Sequence, residues 1–107
     1  MSADTATPLW IRGRLVMATT QFDGTFSHEK YAQLAEDLVV AAEVLLPQVD
    51  YGLVEDYRRR EVQRAFNRAG QLVRDGCTDP GDRRVLRDFC RDLGTALKRV
   101  QLAIPQP

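Results

Sequence analysis

The sequence has few of the side chains that most often carry enzyme or metal chemistry. Its 107 residues include one histidine, His28, and two cysteines, Cys77 and Cys90. A zinc site needs three or four ligands at characteristic spacing, and a histidine that acts as a general base needs a positioned partner. His28 has neither in the sequence, so we expect it to be an exposed residue in the first turn of a helix.

Motifs for metals and for phosphates are also absent. Di-iron bundles use Glu-x-x-His pairs that project into the core, whereas Glu36, Glu43 and Glu61 fall mainly on helix flanks and no Glu-x-x-His occurs. The segment 76–81 has two glycines but lacks the Gly-Lys-Ser/Thr ending that holds nucleotide phosphates. We therefore expect no metal, no cofactor and no catalytic residue.

The sequence also lacks long apolar runs and basic residues near its N-terminus. The longest uninterrupted apolar run covers residues 38–42, and a bilayer span needs roughly 20 apolar residues. Residues 1–8 contain no Lys or Arg, which a secretory signal would place before its apolar stretch. These absences predict a cytoplasmic protein with no membrane segment.

The two cysteines fit that location as free thiols. If the last helix starts at Pro80, Cys90 lies roughly 15 Å along it, whereas the three residues that link Cys77 to this start reach only about 10 Å. A disulfide between them would be strained, and free thiols are typical of a reducing compartment.

Net charge is zero, with 15 bases and 15 acids, but the charges are not evenly spread. Residues 27–52 hold one base and five acids, residues 53–78 hold six arginines and four acids, and residues 79–107 hold six bases and four acids. With 44% apolar and 28% charged residues, the composition is that of an ordinary globular protein. We predict one domain over residues 1–107, with frayed ends at 1–7 and 105–107.

The clearest predicted helix runs from His28 to about Leu46. Ser27 is a good N-cap and Pro47 stops the helix. Apolar residues recur at spacings of three and four, which places them on one helical face. They are Tyr31, Leu34, Ala35, Leu38, Ala41 or Ala42, and Leu45, with Val40 and Val44 widening the stripe.

A second helix is predicted from about Leu53 to Asp75, ended by Gly76 as a C-cap glycine. Its predicted inner face consists of Val54, Tyr57, Val62, Ala65, Phe66, Ala69, Leu72 and Val73.

A third helix is predicted to start at Asp79-Pro80, because Asp can cap a helix and Pro suits the first helical position. Pro105 ends it. Its predicted inner face consists of Val85 or Leu86, then Phe89, Leu93, Ala96, Leu97, Val100 and Ile104.

Residues 8–26 allow two interpretations. A helix from about Pro8 to Gln21 would have an apolar face that continues to Phe22, namely Ile11, Leu15, Ala18 and Phe22. A hairpin would turn at Asp23-Gly24. A lone hairpin is marginal in water and the chain offers no partner strand, so we favour the helix. The predicted fold is all-α: an antiparallel four-helix bundle, or a three-helix bundle with an irregular N-terminal arm.

Two ridges of basic residues form the one surface pattern that suggests a function. One ridge follows i, i+4, i+8 spacing on the second predicted helix and the other lines the outer side of the last. Adjacent ridges would make a patch able to contact phosphates. Neighbouring acids such as Glu61 and Asp88, and the lack of aromatic residues for base stacking, argue against nucleic acid. The residues of the two ridges are Arg60, Arg64, Arg68, Arg87, Arg91 and Lys98.

Glycines inside predicted helices suggest a contact surface. Gly13, Gly70 and Gly94 each sit where glycine costs roughly 1 kcal/mol relative to alanine. On the predicted last helix Gly94 faces away from the apolar stripe, so approach by another helix or subunit would explain it. Exposed apolar residues often mark interaction sites. The candidate interface residues are Trp10, Met17, Val40, Val44 and Gly94.

Three hypotheses about function follow. The first is a non-enzymatic protein–protein interaction module, such as an adaptor, an inhibitor or a small accessory subunit, which binds another protein or itself as a homodimer. The second is a nucleic-acid-associated protein that contacts phosphates through the basic ridges. The third is a small enzyme or redox sensor that acts through Cys77.

Overall fold

The described part of the chain folds into an all-α bundle of four helices, which confirms the predicted fold class. The computed structural model describes residues 7–20 and 26–105, and no strand occurs in these two ranges. None of the helices in them is long and apolar enough to cross a membrane. The helices are α1 (Pro8–Thr19), α2 (His28–Leu45), α3 (Asp56–Asp75) and α4 (Arg83–Val100).

Residues 8–19 form a helix and not a strand. Thr7 caps α1 by accepting a hydrogen bond from the backbone N–H of Trp10 at 3.2 Å, and Pro8 takes the first helical position. Its fixed φ suits that position and its missing N–H costs nothing there. The turn expected at Asp23-Gly24 lies outside the described residues.

The predicted caps Ser27 and Gly76 are both confirmed. Ser27 Oγ accepts a hydrogen bond from the backbone N–H of Lys30 at 3.2 Å. Gly76 ends α3 with a φ of 70°, a left-handed value that glycine adopts without steric cost. Pro47 falls in a 3₁₀ turn, Leu46–Gln48, that directly follows α2.

The start of α4 differs from the prediction. The helix begins at Arg83 and is capped by Asp82, whose carboxylate accepts from the backbone N–H of Arg84 at 2.8 Å. Residues 79–82 form a turn in which the Asp82 N–H donates to the Asp79 carbonyl oxygen at 3.1 Å. Pro80 followed by Gly81 favours a turn, so the second aspartate becomes the cap.

The start of α3 also differs, by three residues. A 3₁₀ turn, Tyr51–Leu53, precedes it, and Asp50 caps this turn through the N–H of Gly52. Tyr57, expected on the inner face, is 73% exposed. Val54 is buried, but it lies before the helix in a small cluster with Val62 and Ala103.

α4 is the central element because it packs against all three other helices. Its predicted inner face is confirmed: Phe89, Leu93, Ala96, Leu97 and Val100 are all buried, as is Ile104 beyond the helix end. Leu93, Leu97 and Val100 are completely inaccessible to solvent. The core therefore surrounds α4, with apolar residues of α1, α2 and α3 packed around it.

Gly94 lies at the contact between α4 and α1, which corrects its assignment as a possible interface residue. It is buried, and a Cβ built on it would lie 2.7 Å from the Ala18 Cβ and 3.3 Å from the Thr19 methyl. Glycine lets the two backbones approach closely. The stripe of α4 is wide enough to include this position, because a third helix packs there.

One charged residue is buried among the described residues. Asp37 on α2 is 5% exposed. Its carboxylate accepts from Arg14 Nε of α1 at 2.9 Å and from Gln33 Nε2 at 3.0 Å. Arg14 also stacks on the Trp10 ring, 5.1 Å from its centroid, and donates to Met17 Sδ at 3.6 Å. This group of polar contacts fixes α1 against α2.

We predict opposite effects for alanine at two helical glycines. Gly94→Ala should destabilise the fold by about 1–2 kcal/mol, since the cost of overpacking exceeds the gain in helix propensity. Gly13→Ala should stabilise it by about 1 kcal/mol, because nothing lies within 4 Å of the added Cβ. Urea unfolding of both variants measures this, and equal stability of the two would refute the close contact.

We predict that the Arg14–Asp37 contact is cooperative. Arg14→Ala should cost about 2 kcal/mol, because it leaves a buried carboxylate with fewer donors. The double variant Arg14→Ala with Asp37→Ala should lose less than the sum of the two single losses, since it leaves no uncompensated charge. A double-mutant cycle by chemical denaturation checks this, and strict additivity would contradict it.

Candidate interaction surface: an arginine-lined groove

The structure brings arginines of α3 and α4 together around a surface groove of about 380 Å³. Arg64 and Arg68 come from α3, one turn apart on the same face. The groove floor includes Ala65 and Ala96, which are both buried. The complete lining consists of Arg64, Ala65, Arg68, Arg91, Asp92, Thr95, Ala96 and Arg99.

Helical spacing explains this assembly. Residues three and four apart lie on one side of a helix, so positions 64, 65 and 68 of α3 and positions 92, 95, 96 and 99 of α4 each form a continuous strip. The two alanines sit where the strips meet, and their short side chains leave the space that the arginines surround. Positive charge therefore lines a depression with an apolar base.

Two acidic side chains partly neutralise the positive charge of this groove. Arg68 Nη2 lies 3.4 Å from Asp92 Oδ2, and Arg99 Nε lies 3.6 Å from Glu61 Oε1. All four side chains are about half exposed. Exposed ion pairs of this kind contribute only about 0–1 kcal/mol to stability, so an incoming anion can replace either acid at little cost.

Three of the six predicted basic residues line the groove, namely Arg64, Arg68 and Arg91. Arg60 and Lys98 are exposed but lie outside its lining. Arg87 lines a different depression at the start of α4, and its Nε lies 3.6 Å from Asp88 Oδ1.

Arg99 lines the groove but was not among the predicted residues. It follows Arg91 by eight positions, so the spacing that defined the ridge on α3 would also have found it on α4. The prediction followed the outer side of α4 and not the flank that meets α3.

The other candidate interface residues are partly buried. Trp10 and Met17 lie beside the Arg14 side chain, and Val40 and Val44 are half-buried against the core. Among the described residues, the large apolar side chains that are exposed to solvent lie at other positions. They are Leu9, Val16, Leu53, Tyr57 and Leu102.

His28 is exposed and makes one contact with a distant segment. Its Nε2 lies 2.7 Å from the carbonyl oxygen of Pro80, which joins the start of α2 to the turn before α4. In the described part of the chain, no group of three or more His, Cys, Asp or Glu side chains is placed to hold a metal ion.

The two thiols differ strongly in their surroundings. Cys90 is buried, its Sγ donates to the Tyr31 carbonyl oxygen at 3.5 Å, and Cys77 is half-buried. Burial, and secondly the charge of a Cys77 thiolate, raise the pKa of Cys90 to about 12. Both cysteines are free.

We predict that Cys77 is alkylated much faster than Cys90 in the folded protein. With a pKa of about 12, Cys90 is a thiolate in only ~10⁻⁴ of molecules at pH 8, and the thiolate is the reactive form. Iodoacetamide labelling followed by peptide mass spectrometry measures both rates. Comparable rates under native conditions would contradict the burial of Cys90, and denaturant should make the rates similar.

Comparisons of this chain with protein-family models, with curated proteins and with solved structures found no match. The distinguishing feature of the groove is the set of arginines from two helices, Arg64, Arg68, Arg91 and Arg99, over a floor of small residues.

Proposed function

We propose that this chain is a non-enzymatic interaction module that binds a partner protein through the arginine-lined groove. The observation that carries the proposal is the convergence of four arginines from α3 and α4 on one depression with an alanine floor. An adaptor, an inhibitor or a small accessory subunit would each use such a surface without chemistry of its own.

Arginine is well suited to this role. Its planar guanidinium donates two parallel hydrogen bonds to a carboxylate, and it is enriched among the residues that dominate binding energy in protein interfaces. Arg68 and Arg99 are held near Asp92 and Glu61, which limits the freedom that each side chain loses on binding. A partner carboxylate placed between them would gain two charged donors.

The groove fits a protein better than a nucleic acid. A phosphate backbone carries uninterrupted negative charge, which Asp92 and Glu61 would repel at this surface. Binding of single strands also relies on aromatic side chains for stacking, and the groove lining contains none. Separate carboxylates on a partner helix match the alternation of arginines and acids, and the alanines accept its apolar atoms.

The proposed site of action is the cytoplasm. Two free cysteines, one of them buried, are compatible with a reducing compartment, where thiols stay reduced.

We predict that a charge reversal in the groove abolishes partner binding. Tagged wild-type chain and the variant Arg64→Glu with Arg68→Glu are used as baits in native lysate, with and without nuclease. The wild type should retain a protein partner in both conditions. For the purified partner, affinity should fall more than about tenfold in the variant, because truncating one central interface arginine alone commonly costs over 1 kcal/mol.

The matched control is Arg12→Glu with Arg83→Glu, which makes the same change in net charge at exposed positions outside the groove. This control should bind as the wild type does. If the groove variant still recovered the protein partner, the proposal would be refuted. Recovery that disappears after nuclease treatment would support nucleic-acid association in its place.

A further inference from the structure

We propose that the groove of one molecule binds the outward face of α2 of a second copy, so that the chain associates head to tail. This inference rests on the proposed function, since it names the occupant of the same groove. The outward face of α2, which we call the acidic face, consists of Glu29, Ala32, Gln33, Glu36, Val39, Val40 and Glu43.

The acidic face is defined by a repeat of seven. Glu29, Glu36 and Glu43 are exposed and follow one another at seven-residue intervals. A seven-residue step drifts only about 20° around a helix, so the three carboxylates lie nearly in line. The buried residues Leu34, Leu38 and Leu45 occupy the opposite side of α2.

No base interrupts the acidic face. The single base of residues 27–52 is Lys30. It lies beside this face, in a depression between α1 and α2 that Arg14, Gln33 and Asp37 also line. Asp37 is itself buried against Arg14. The charged residues of the acidic face itself are therefore all negative, although the whole chain has a net charge of zero.

The spacing of the carboxylates matches the groove. At a rise of 1.5 Å per residue, Glu36 and Glu43 are separated by about 10.5 Å along α2. Arg91 and Arg99 are separated by about 12 Å along α4 by the same arithmetic. One helix laid beside the other brings each carboxylate within reach of one arginine.

The apolar parts of the two surfaces also correspond. Ala32, Val39 and Val40 are half-buried and flank the line of carboxylates. Ala65 and Ala96 form the floor of the groove. The alanines on both surfaces permit close approach of the helices, and burial of the valines removes apolar area from water.

The geometry prevents a molecule from filling its own groove, so the association must be between molecules. α2 and α4 pack against each other through their buried stripes, so their exposed faces point away from the contact. A single molecule cannot place its own acidic face in its own groove. The contact joins two different surfaces, and such contacts build rings or open chains.

Sedimentation of the purified protein over a range of concentrations tests the proposal. Wild type should associate at low salt and dissociate at high salt, because the Debye length falls from about 10 Å at 0.1 M to about 3 Å at 1 M. Glu36→Gln with Glu43→Gln, and separately Arg64→Gln with Arg68→Gln, should each be monomeric. Exposed substitutions of this kind change stability by only about 0.5 kcal/mol, so all variants should fold.

Mixing the two variants gives the decisive result. One keeps an intact groove and the other an intact acidic face, so the mixture should form a complex of two chains that grows no further. The matched control, Glu55→Gln with Asp75→Asn, alters exposed acids outside the acidic face and should associate as the wild type does. A monomeric wild type, self-association in either variant alone, or no complex in the mixture would overturn the proposal.

The same samples separate this inference from the proposed function. Groove-dependent capture of another protein by a chain that is monomeric at low salt would end the self-association model and leave the proposed function standing. If the variant Arg64→Gln with Arg68→Gln still captured a partner protein and still self-associated, both the self-association model and the proposed function would be refuted.

Discussion

The structure depends on the packing of α4 against three helices at once. A helix that contacts one neighbour needs a narrow apolar stripe, whereas α4 buries eight of its residues and packs against three helices. Gly94 makes the third contact possible, because a side chain there would collide with Ala18 of α1. The Arg14–Asp37 pair then joins α1 to α2, so the three outer helices are fixed around one central element.

This arrangement leaves one side of α4 exposed, and that side carries part of the candidate site. Arg91, Thr95 and Arg99 lie on the side of α4 that no helix covers completely, next to the exposed arginines of α3. The alanines at positions 65 and 96 permit close packing of α3 and α4 and leave a depression above them. The same small residues therefore serve the core on one side and the groove on the other.

Much of the fold follows from local patterns in the sequence. Apolar spacing identified the buried faces of α2 and α4, and Ser27 and Gly76 mark helix ends through interactions that involve only adjacent residues. The errors have local causes as well. Asp79 and Asp82 are both good caps, and the turn at Pro80-Gly81 decides between them. Tyr57 precedes Val62 by five positions, which turns it about 140° away from that buried residue of α3, and it is exposed.

The sequence by itself determined the helices, their buried stripes and the uneven distribution of charge, because these depend on side chains a few positions apart. Tertiary structure decided which arginines share a surface, why Gly94 is a glycine, and where Asp37 finds its partner. Arg68 and Asp92 are 24 residues apart, and Arg14 and Asp37 are 23 apart. Such contacts depend on how the helices are placed around α4, which no single helical pattern contains.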